Sequence, residues 1–201
     1  VANWVFDSAR KAGDSAVGAS DSNCYVVVVR SVGRQEYATK DVRHILFKVD
    51  ESALDSEAET YEADLQAAKD AAKTAAEDAL AQWKAGEATE DSFAALANEL
   101  SADDGSNTNG GLYTKIYKNQ MVTEFNDWCF DASRQSGDTG IVYGESSNYK
   151  GYHVMYFVGD DVPYWQVQAE NALRNTDTEA WLDGLLDSAD VVQEAGMKHV
   201  G

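Results

Sequence analysis

Cysteine, histidine and proline are scarce in this sequence. Its 201 residues include two cysteines, three histidines and one proline. Cys24 and Cys129 are too few for a disulfide framework, and neither stands in a Cys-x-x-Cys or Cys/His spacing that would hold a metal ion. We therefore expect both to be small buried hydrophobic side chains, and we expect no metal site.

Basic residues and long apolar runs are also few. Lysine and arginine total 16 against 35 aspartates and glutamates, which gives a formal net charge of −19. Nucleic acid and anionic membrane surfaces both require a positive protein face, so neither is expected as a partner. The longest apolar run, at 25–29, has the length of a strand and falls far short of the roughly 18 residues that span a membrane. Direct membrane insertion is therefore not expected.

Hydrophobic spacing in the first half predicts strands and helices. Two β-branched stretches, at 25–32 and 41–49, are predicted strands. Apolar residues recur every three or four positions over 59–85, which predicts a long amphipathic helix ended by Gly86. Thr89 can cap a second helix, whose predicted apolar face carries Phe93, Leu96, Ala97 and Leu100.

The second half continues with a loop, a helix, two strands and a helical tail. Glycine, asparagine and aspartate crowd 103–111, which indicates an irregular loop. Two strands are predicted over 139–144 and 151–158. Thr176 and Glu179 form a capping-box pattern that predicts the start of a last helix, with an apolar face of Trp181, Leu182, Leu185 and Leu186. These elements predict an α+β fold.

One phrase occurs twice. "NWVFDSARKAGD" at 3–14 returns as "DWCFDASRQSGD" at 127–138, and each copy precedes β-branched or aromatic strand sequence. Both copies are predicted to be helical up to a glycine, Gly13 in the first and Gly137 in the second. The first 37 residues therefore look like the last third of the unit that follows them.

Four motifs in a fixed order carry a family resemblance. They are "VRHILF", "FAALANELSADDGSNTNGGL", "MVTEFNDWCF" and "YKGYHVMYFV". Together they resemble the parvulin-type peptidyl-prolyl cis-trans isomerases, and especially the domains of bacterial extracytoplasmic foldases of the PrsA and SurA kind. The resemblance covers about residues 41 to 160.

The resemblance implies a fold and a domain order. It implies a four-stranded antiparallel sheet surrounded by helices over 38–160, followed by a C-terminal helical segment, 161–201. Residues 1–37 resemble the end of a degenerate module of the same kind, whose front half would precede Val1. In that alignment Tyr25 falls on Tyr152, and Val26 falls on His153.

The resemblance also implies a site. His44 and His153 match the paired histidines of a parvulin, and these two with Asp103 are the expected catalytic residues. Asp103 matches the neighbouring cysteine or aspartate, and Asp104 is an adjacent candidate for that position. The expected substrate-binding residues are Leu112, Met121, Phe125, Asn148 and Tyr152. Such an isomerase needs no cofactor, and its partners are unfolded or proline-containing polypeptides.

Three positions depart from the family pattern. Lys150 and Asn148 replace an aromatic or small hydroxyl residue and a threonine, and Tyr113 replaces a glycine. Lys150 and Tyr113 are expected to narrow the pocket or weaken the histidine network. The acidic stretch 48–59 lacks the clustered basic residues that a phosphoserine-proline substrate would need, so we expect no phosphate preference.

Two functions remain open from the sequence. The first is an active isomerase or foldase, and the second is a catalytically inactive holdase that binds extended client segments. A surface adhesion domain draws support only from the acidity. The expected location is extracytoplasmic, as part of a longer exported precursor, and a homodimer is one way to cover the free strand edge of the first 37 residues.

Overall fold

The structure, a computed structural model, describes residues 2–19, 23–146 and 149–188. The chain divides into two compact units, Val1–Glu36 and Tyr37–Gly201. None of the helices in the described residues is long and apolar enough to cross a membrane.

The first unit holds a short helix and one antiparallel hairpin. Its elements are α1 (Ala2–Val5), β1 (Ser15–Ala19) and β2 (Cys24–Val28). The predicted helix up to Gly13 is wrong after Val5, because the carboxylate of Asp7 accepts the Ala9 N–H and folds the chain into turns. Cys24 is exposed, so its predicted burial is also wrong, whereas Cys129 is buried as predicted.

The second unit is an α+β domain with one four-stranded antiparallel sheet. Its strands lie in the order β4–β3–β6–β5. Its elements, in chain order, are β3 (Ala38–Lys48), α2 (Tyr61–Ala85), α3 (Glu90–Leu100), β4 (Leu112–Ile116), α4 (Thr123–Cys129), β5 (Thr139–Glu145), β6 (Lys150–Pro163) and α5 (Tyr164–Ser188). The predicted α+β class, antiparallel sheet and C-terminal helix are confirmed.

The two central strands separate two layers of core. On one face, Ile45 and Val154 pack with α2 and α3. On the other face, Val42 and Met155 pack with α4. Because side chains alternate along a strand, His44 lies on the α4 face with Val42. His44 therefore lies on the face of the sheet opposite α2 and α3.

Local signals explain where most helices begin and end. Thr89 caps α3 as predicted: its hydroxyl accepts the Ser92 N–H, and the Ser92 hydroxyl accepts the Thr89 N–H. The predicted continuation of α4 to Gly137 is wrong, because the Asp131 side chain accepts hydrogen bonds from the Ser133 N–H and hydroxyl and forms a turn.

The last helix differs from its prediction at both its start and its surface. It begins at Tyr164, and the hydroxyl of Thr176 donates to the Ala172 carbonyl inside the helix, so the predicted capping box is wrong. The predicted apolar face is exposed: α5 has no buried residue among those described, and Leu186 is 70% exposed.

Candidate functional site

A cavity of about 420 Å³ lies on the α4 face of the sheet, between the strands β3 and β6 and the loop that follows α3. Its lining combines an apolar wall with a group of hydrogen-bonded polar side chains. The lining residues are His44, Leu46, Lys48, Asp103, Tyr113, Gln120, Met121, Val122, Phe125, Ser146, Tyr149 and His153.

Two buried histidines form the floor of this cavity. Strand pairing places Leu46 opposite His153, so His44 and His153 are diagonal neighbours on the same face. Their Nδ1 atoms lie 3.0 Å apart, and each residue is only 3% exposed. One Nδ1 must therefore donate a proton to the other, which fixes opposite tautomers for two neutral rings.

Asp103 anchors one end of the histidine pair. Its Oδ2 lies 2.9 Å from His44 Nε2 and also accepts hydrogen bonds from the hydroxyls of Ser106 and Tyr113. The hydrogen bond from His44, together with those from Ser106 and Tyr113, holds the pKa of Asp103 well below its usual range. Asp103 is therefore a carboxylate anion at neutral pH, and His44 carries its proton on Nε2.

Burial determines the protonation state of His153. Burial, reinforced by repulsion from His44, lowers the pKa of His153 to about 3. The ring is therefore neutral at physiological pH. Its Nε2 lies 3.1 Å from the hydroxyl of Tyr149, the last residue before β6.

The apolar wall comes from α4 and the segment just before it. Phe125 is buried and meets both imidazoles edge-on, with ring centroids 5.5 Å from His44 and 5.4 Å from His153. Met121 precedes Phe125 by four positions, just before α4 begins, and lines the same cavity. The cavity therefore holds an apolar wall beside fixed polar groups.

The structure brings together five of the eight residues expected at the site. His44, Asp103, His153, Met121 and Phe125 all line the cavity. The other three stand elsewhere or are not described, and each has a separate reason.

Leu112 and Tyr152 are not among the lining residues. Tyr152 precedes His153 on β6, so its side chain points to the opposite face of the sheet, where it packs against Tyr143 with ring centroids 5.1 Å apart. Leu112 begins β4 and pairs with Arg43 of β3. Asn148 lies outside the described residues.

The two described departures from the family pattern have different positions. Lys150 does not line the cavity, because its Nζ donates to Glu51 Oε2 at 2.7 Å. The expectation that Lys150 narrows the pocket is therefore wrong. Tyr113 does line the cavity, and its hydroxyl donates to Asp103 rather than weakening the network.

Sequence reasoning missed two residues of the network, Ser106 and Tyr149. Ser106 is 1% exposed, and its hydroxyl contacts both Asp103 and His44. It follows Asp103 by three positions in the loop, a spacing typical of a turn. Tyr149 precedes His153 by four positions, which in a strand places both side chains on one face.

Metal chemistry has no donor set here. Among the ranges that the structure describes, no group of three or more His, Cys, Asp or Glu side chains is placed to hold a metal ion. What the cavity offers is a desolvated slot, two hydrogen-bonded imidazoles and one carboxylate anion. Such a site can bind, orient and polarise a group without forming a covalent bond.

A family comparison matches this domain. A family model described as rotamase, PPIC-type PPIASE domain, matches residues 44–159. That range includes the residues that line the cavity and the whole histidine–aspartate network. No curated protein matches the chain.

Two solved structures are similar to this chain. One is the peptidylprolyl isomerase PrsA from Bacillus cereus, at 23% identity and a TM-score of 0.42, covering 80% of this chain and 54% of that chain. The other is reported for PEB4 and Cj1289, two SurA-like chaperones of Campylobacter jejuni, at 23% identity and a TM-score of 0.39, covering 78% and 56%. The chain thus spans about half the length of the structures that it matches.

Proposed function

This chain belongs to the PPIC-type peptidyl-prolyl isomerase domain family, and from that membership we propose that it catalyses cis-trans isomerisation of X-Pro bonds in unfolded or secreted polypeptides. The observation that carries the proposal is the buried pair His44 and His153, tied to the Asp103 anion and placed beside the apolar wall of Phe125.

The site supplies what this reaction requires. Rotation about an X-Pro bond faces a barrier of about 18–20 kcal/mol because the planar amide is conjugated. The twisted amide loses that conjugation and much of its dipole, so a desolvated apolar slot favours it over the planar form. Met121 and Phe125 supply the slot for the ring. The hydrogen-bonded imidazoles stay fixed during rotation, so they need no reorganisation as the amide twists.

We propose substrates without a phosphate group. Of the described residues that line the cavity, Lys48 alone is basic. A phosphoserine carries about −1.5 to −2 charges and is usually met by a cluster of arginines. Asp50 and Glu51 follow Lys48 after one intervening residue, and their charges oppose a phosphate group and favour neutral or basic residues before proline.

An inactive holdase is the second candidate. Tyr113 favours it, because its ring occupies a wall of the cavity with its centroid 5.3 Å from that of His44. If that ring keeps a proline from entering, the domain binds extended segments without turning them over. For either function we propose an extracytoplasmic location, on the likeness of the motifs to exported foldases.

We also propose that residues 1–37 are the C-terminal part of a degenerate parvulin-like module, ahead of the parvulin-like domain 38–160 and the helical segment 161–201. The support is a set of matching contacts within each unit. In the first, Arg10 stacks 4.7 Å from the Trp4 ring centroid; in the second, Arg134 stacks 4.1 Å from that of Trp128. Each arginine also pairs with two matching aspartates, Asp7 and Asp14 in the first unit, and Asp131 and Asp138 in the second.

The backbone repeats as closely as these side chains. Gly13 and Gly137 have φ values of 93° and 91°. The Gly13 N–H donates to the Val29 carbonyl at 2.8 Å, and the Gly137 N–H donates to the Phe157 carbonyl at 2.9 Å. These pairs set an equivalence in which Tyr25, rather than Val26, stands where His153 stands. The sequence alignment instead matched Val26 with His153, one position later. In either alignment the first unit has no histidine at this position.

The test of the proposed function is a proline isomerisation assay on the whole chain. Unphosphorylated Ala-Pro, Lys-Pro and Glu-Pro peptides should interconvert faster with protein present, and a phosphoserine-proline peptide should gain no advantage. Faster turnover of the phosphopeptide would overturn the substrate class. No acceleration of any peptide, with suppressed aggregation of an unfolded client, would establish the holdase instead.

A further inference from the structure

We propose that Tyr149 is a positioning residue: it is the donor end of a one-way hydrogen-bond chain that runs through both histidines to Asp103. The contacts are Tyr149 hydroxyl to His153 Nε2 at 3.1 Å, Nδ1 to Nδ1 at 3.0 Å, and His44 Nε2 to Asp103 at 2.9 Å. The inference rests on the proposed function for its catalytic meaning, and its direction follows from these contacts together with the charge of the Asp103 carboxylate.

The direction is set at the Asp103 end. A carboxylate anion has only acceptor atoms, so each of its partners must donate. Oδ2 therefore receives protons from His44 Nε2 and from the hydroxyls of Ser106 and Tyr113. The proposal takes His44 in its neutral form, in which a proton on Nε2 leaves Nδ1 as a lone pair.

The second step carries the direction to Tyr149. Because His44 Nδ1 accepts, His153 Nδ1 must donate, and Nε2 of neutral His153 is then a lone pair. Among the described residues, the hydrogen-bond partner of this Nε2 is the Tyr149 hydroxyl, which must donate. Burial raises the pKa of Tyr149, with a further rise from the Asp103 charge, so the phenol keeps its proton.

The two ends of the chain differ in redundancy. Asp103 Oδ2 has three donors, so the loss of one hydroxyl leaves two in place. His153 Nε2 has one. Without Tyr149 that nitrogen would face the cavity unsatisfied, and the ring could turn away from His44. Removing the Tyr149 hydroxyl should therefore disturb the histidine pair more than removing the Tyr113 hydroxyl.

Ring-nitrogen NMR of the full chain reads the direction without turnover. In the unmodified protein, His44 should be protonated on Nε2 and His153 on Nδ1. Tyr149→Phe should move the His153 Nε2 resonance toward that of a free unprotonated imidazole nitrogen. The matched control is Tyr143→Phe, because the Tyr143 hydroxyl donates to Glu145 and does not line the cavity. It should leave that resonance in place.

Two NMR outcomes would overturn the proposed hydrogen-bond chain. A proton found on His153 Nε2 would reverse its direction. An Nε2 resonance that stays in place in Tyr149→Phe, or that moves equally in Tyr143→Phe, would remove Tyr149 from it.

Kinetics then tests the positioning role. Tyr149→Phe should lower kcat about fivefold, the scale of one neutral hydrogen bond, with little change in KM. Tyr113→Phe should have a smaller effect on kcat, and Tyr143→Phe none. An unchanged kcat in Tyr149→Phe, despite a moved nitrogen resonance, would overturn the role. If the unmodified protein shows no isomerase activity, the proposed function fails, while the resonances still decide the hydrogen-bond chain.

Discussion

His44 and His153 meet through their Nδ1 atoms, 3.0 Å apart, although they are 109 positions apart in the chain. The contact depends on the register of β3 and β6, in which His44 lies opposite Met155 and Leu46 lies opposite His153. A slip of one residue would send one imidazole to the opposite face of the sheet. The pairing of the two central strands therefore builds the site.

The neutral state of His153 should make stability depend on pH. Its pKa is about 3 in the folded protein against an ordinary 6.5. Between these values the unfolded chain binds a proton that the folded chain does not, so the free energy of unfolding falls as the pH is lowered through this window. The slope from this one group approaches about 1.4 kcal/mol per pH unit.

Urea denaturation at a series of pH values measures this slope. His153→Gln should remove the part of it between pH 6.5 and about 3. Asp103, whose pKa is lowered in the folded state, contributes stability that is lost only below its ordinary 3.8, so the two windows can be separated. An identical slope in the His153→Gln variant would contradict the assignment.

Gly144 is expected to be required for the position of His153. A Cβ on Gly144 would lie 2.9 Å from His153 Nε2 and 3.0 Å from Val122 Cγ2. Gly144→Ala should displace the imidazole and lower kcat at least about tenfold. Gly159→Ala is the matched control, since a Cβ there meets nothing within 4 Å. Equal activity of the two variants would show that the ring position is not critical.

Substitutions of Met121 and Leu112 test whether proline binds in the observed cavity or at the position expected from the family. Both were expected to bind proline, but only Met121 lines the cavity. Met121→Ala should lower kcat/KM about fivefold through lost apolar contact, mainly by raising KM. Leu112→Ala should leave kcat/KM of the folded protein unchanged. A loss confined to Leu112→Ala would place the proline elsewhere.

The proposed half-module predicts a free strand edge in the first unit. On β2, the N–H groups of Val26 and Val28 face away from β1, because N–H groups alternate in direction along a strand. The corresponding residues of β6 are Val154 and Tyr156, whose strand pairs with β3. Their amide hydrogens should exchange quickly. Fusing a second copy of residues 38–124 ahead of residue 1 should slow them, whereas a polar extension of equal length should not. Unchanged exchange in the first fusion would contradict the half-module.

Local signals made much of the fold predictable. The Thr89 cap, the apolar spacing of α2 and the β-branched sequence of β3 each act within a few residues, and these elements formed where expected. The end of α4 was missed because the Asp131 side chain competes with helical hydrogen bonding. The start of α5 was missed because the Thr176 hydroxyl can bond inside a helix as well as cap one.

The site was predictable only where the family pattern reached. His44, Asp103 and His153 came from the resemblance, and their meeting depends on strand register that no local signal encodes. Ser106 and Tyr149 were missed because their roles arise from contacts with these residues rather than from a motif. Lys150 was misjudged because its partner, Glu51, lies 99 positions away in the chain.

The most direct measurement is an NMR exchange assay of an unphosphorylated Ala-Pro peptide with the whole chain and four variants. His44→Ala, Asp103→Ala and His153→Ala should stay folded and lose most of the acceleration. Lys150→Gln, whose parent side chain bonds to Glu51 outside the cavity, should keep it. Acceleration that survives in the three site variants, or that is absent from the unmodified chain, would contradict catalysis by the histidine–aspartate network.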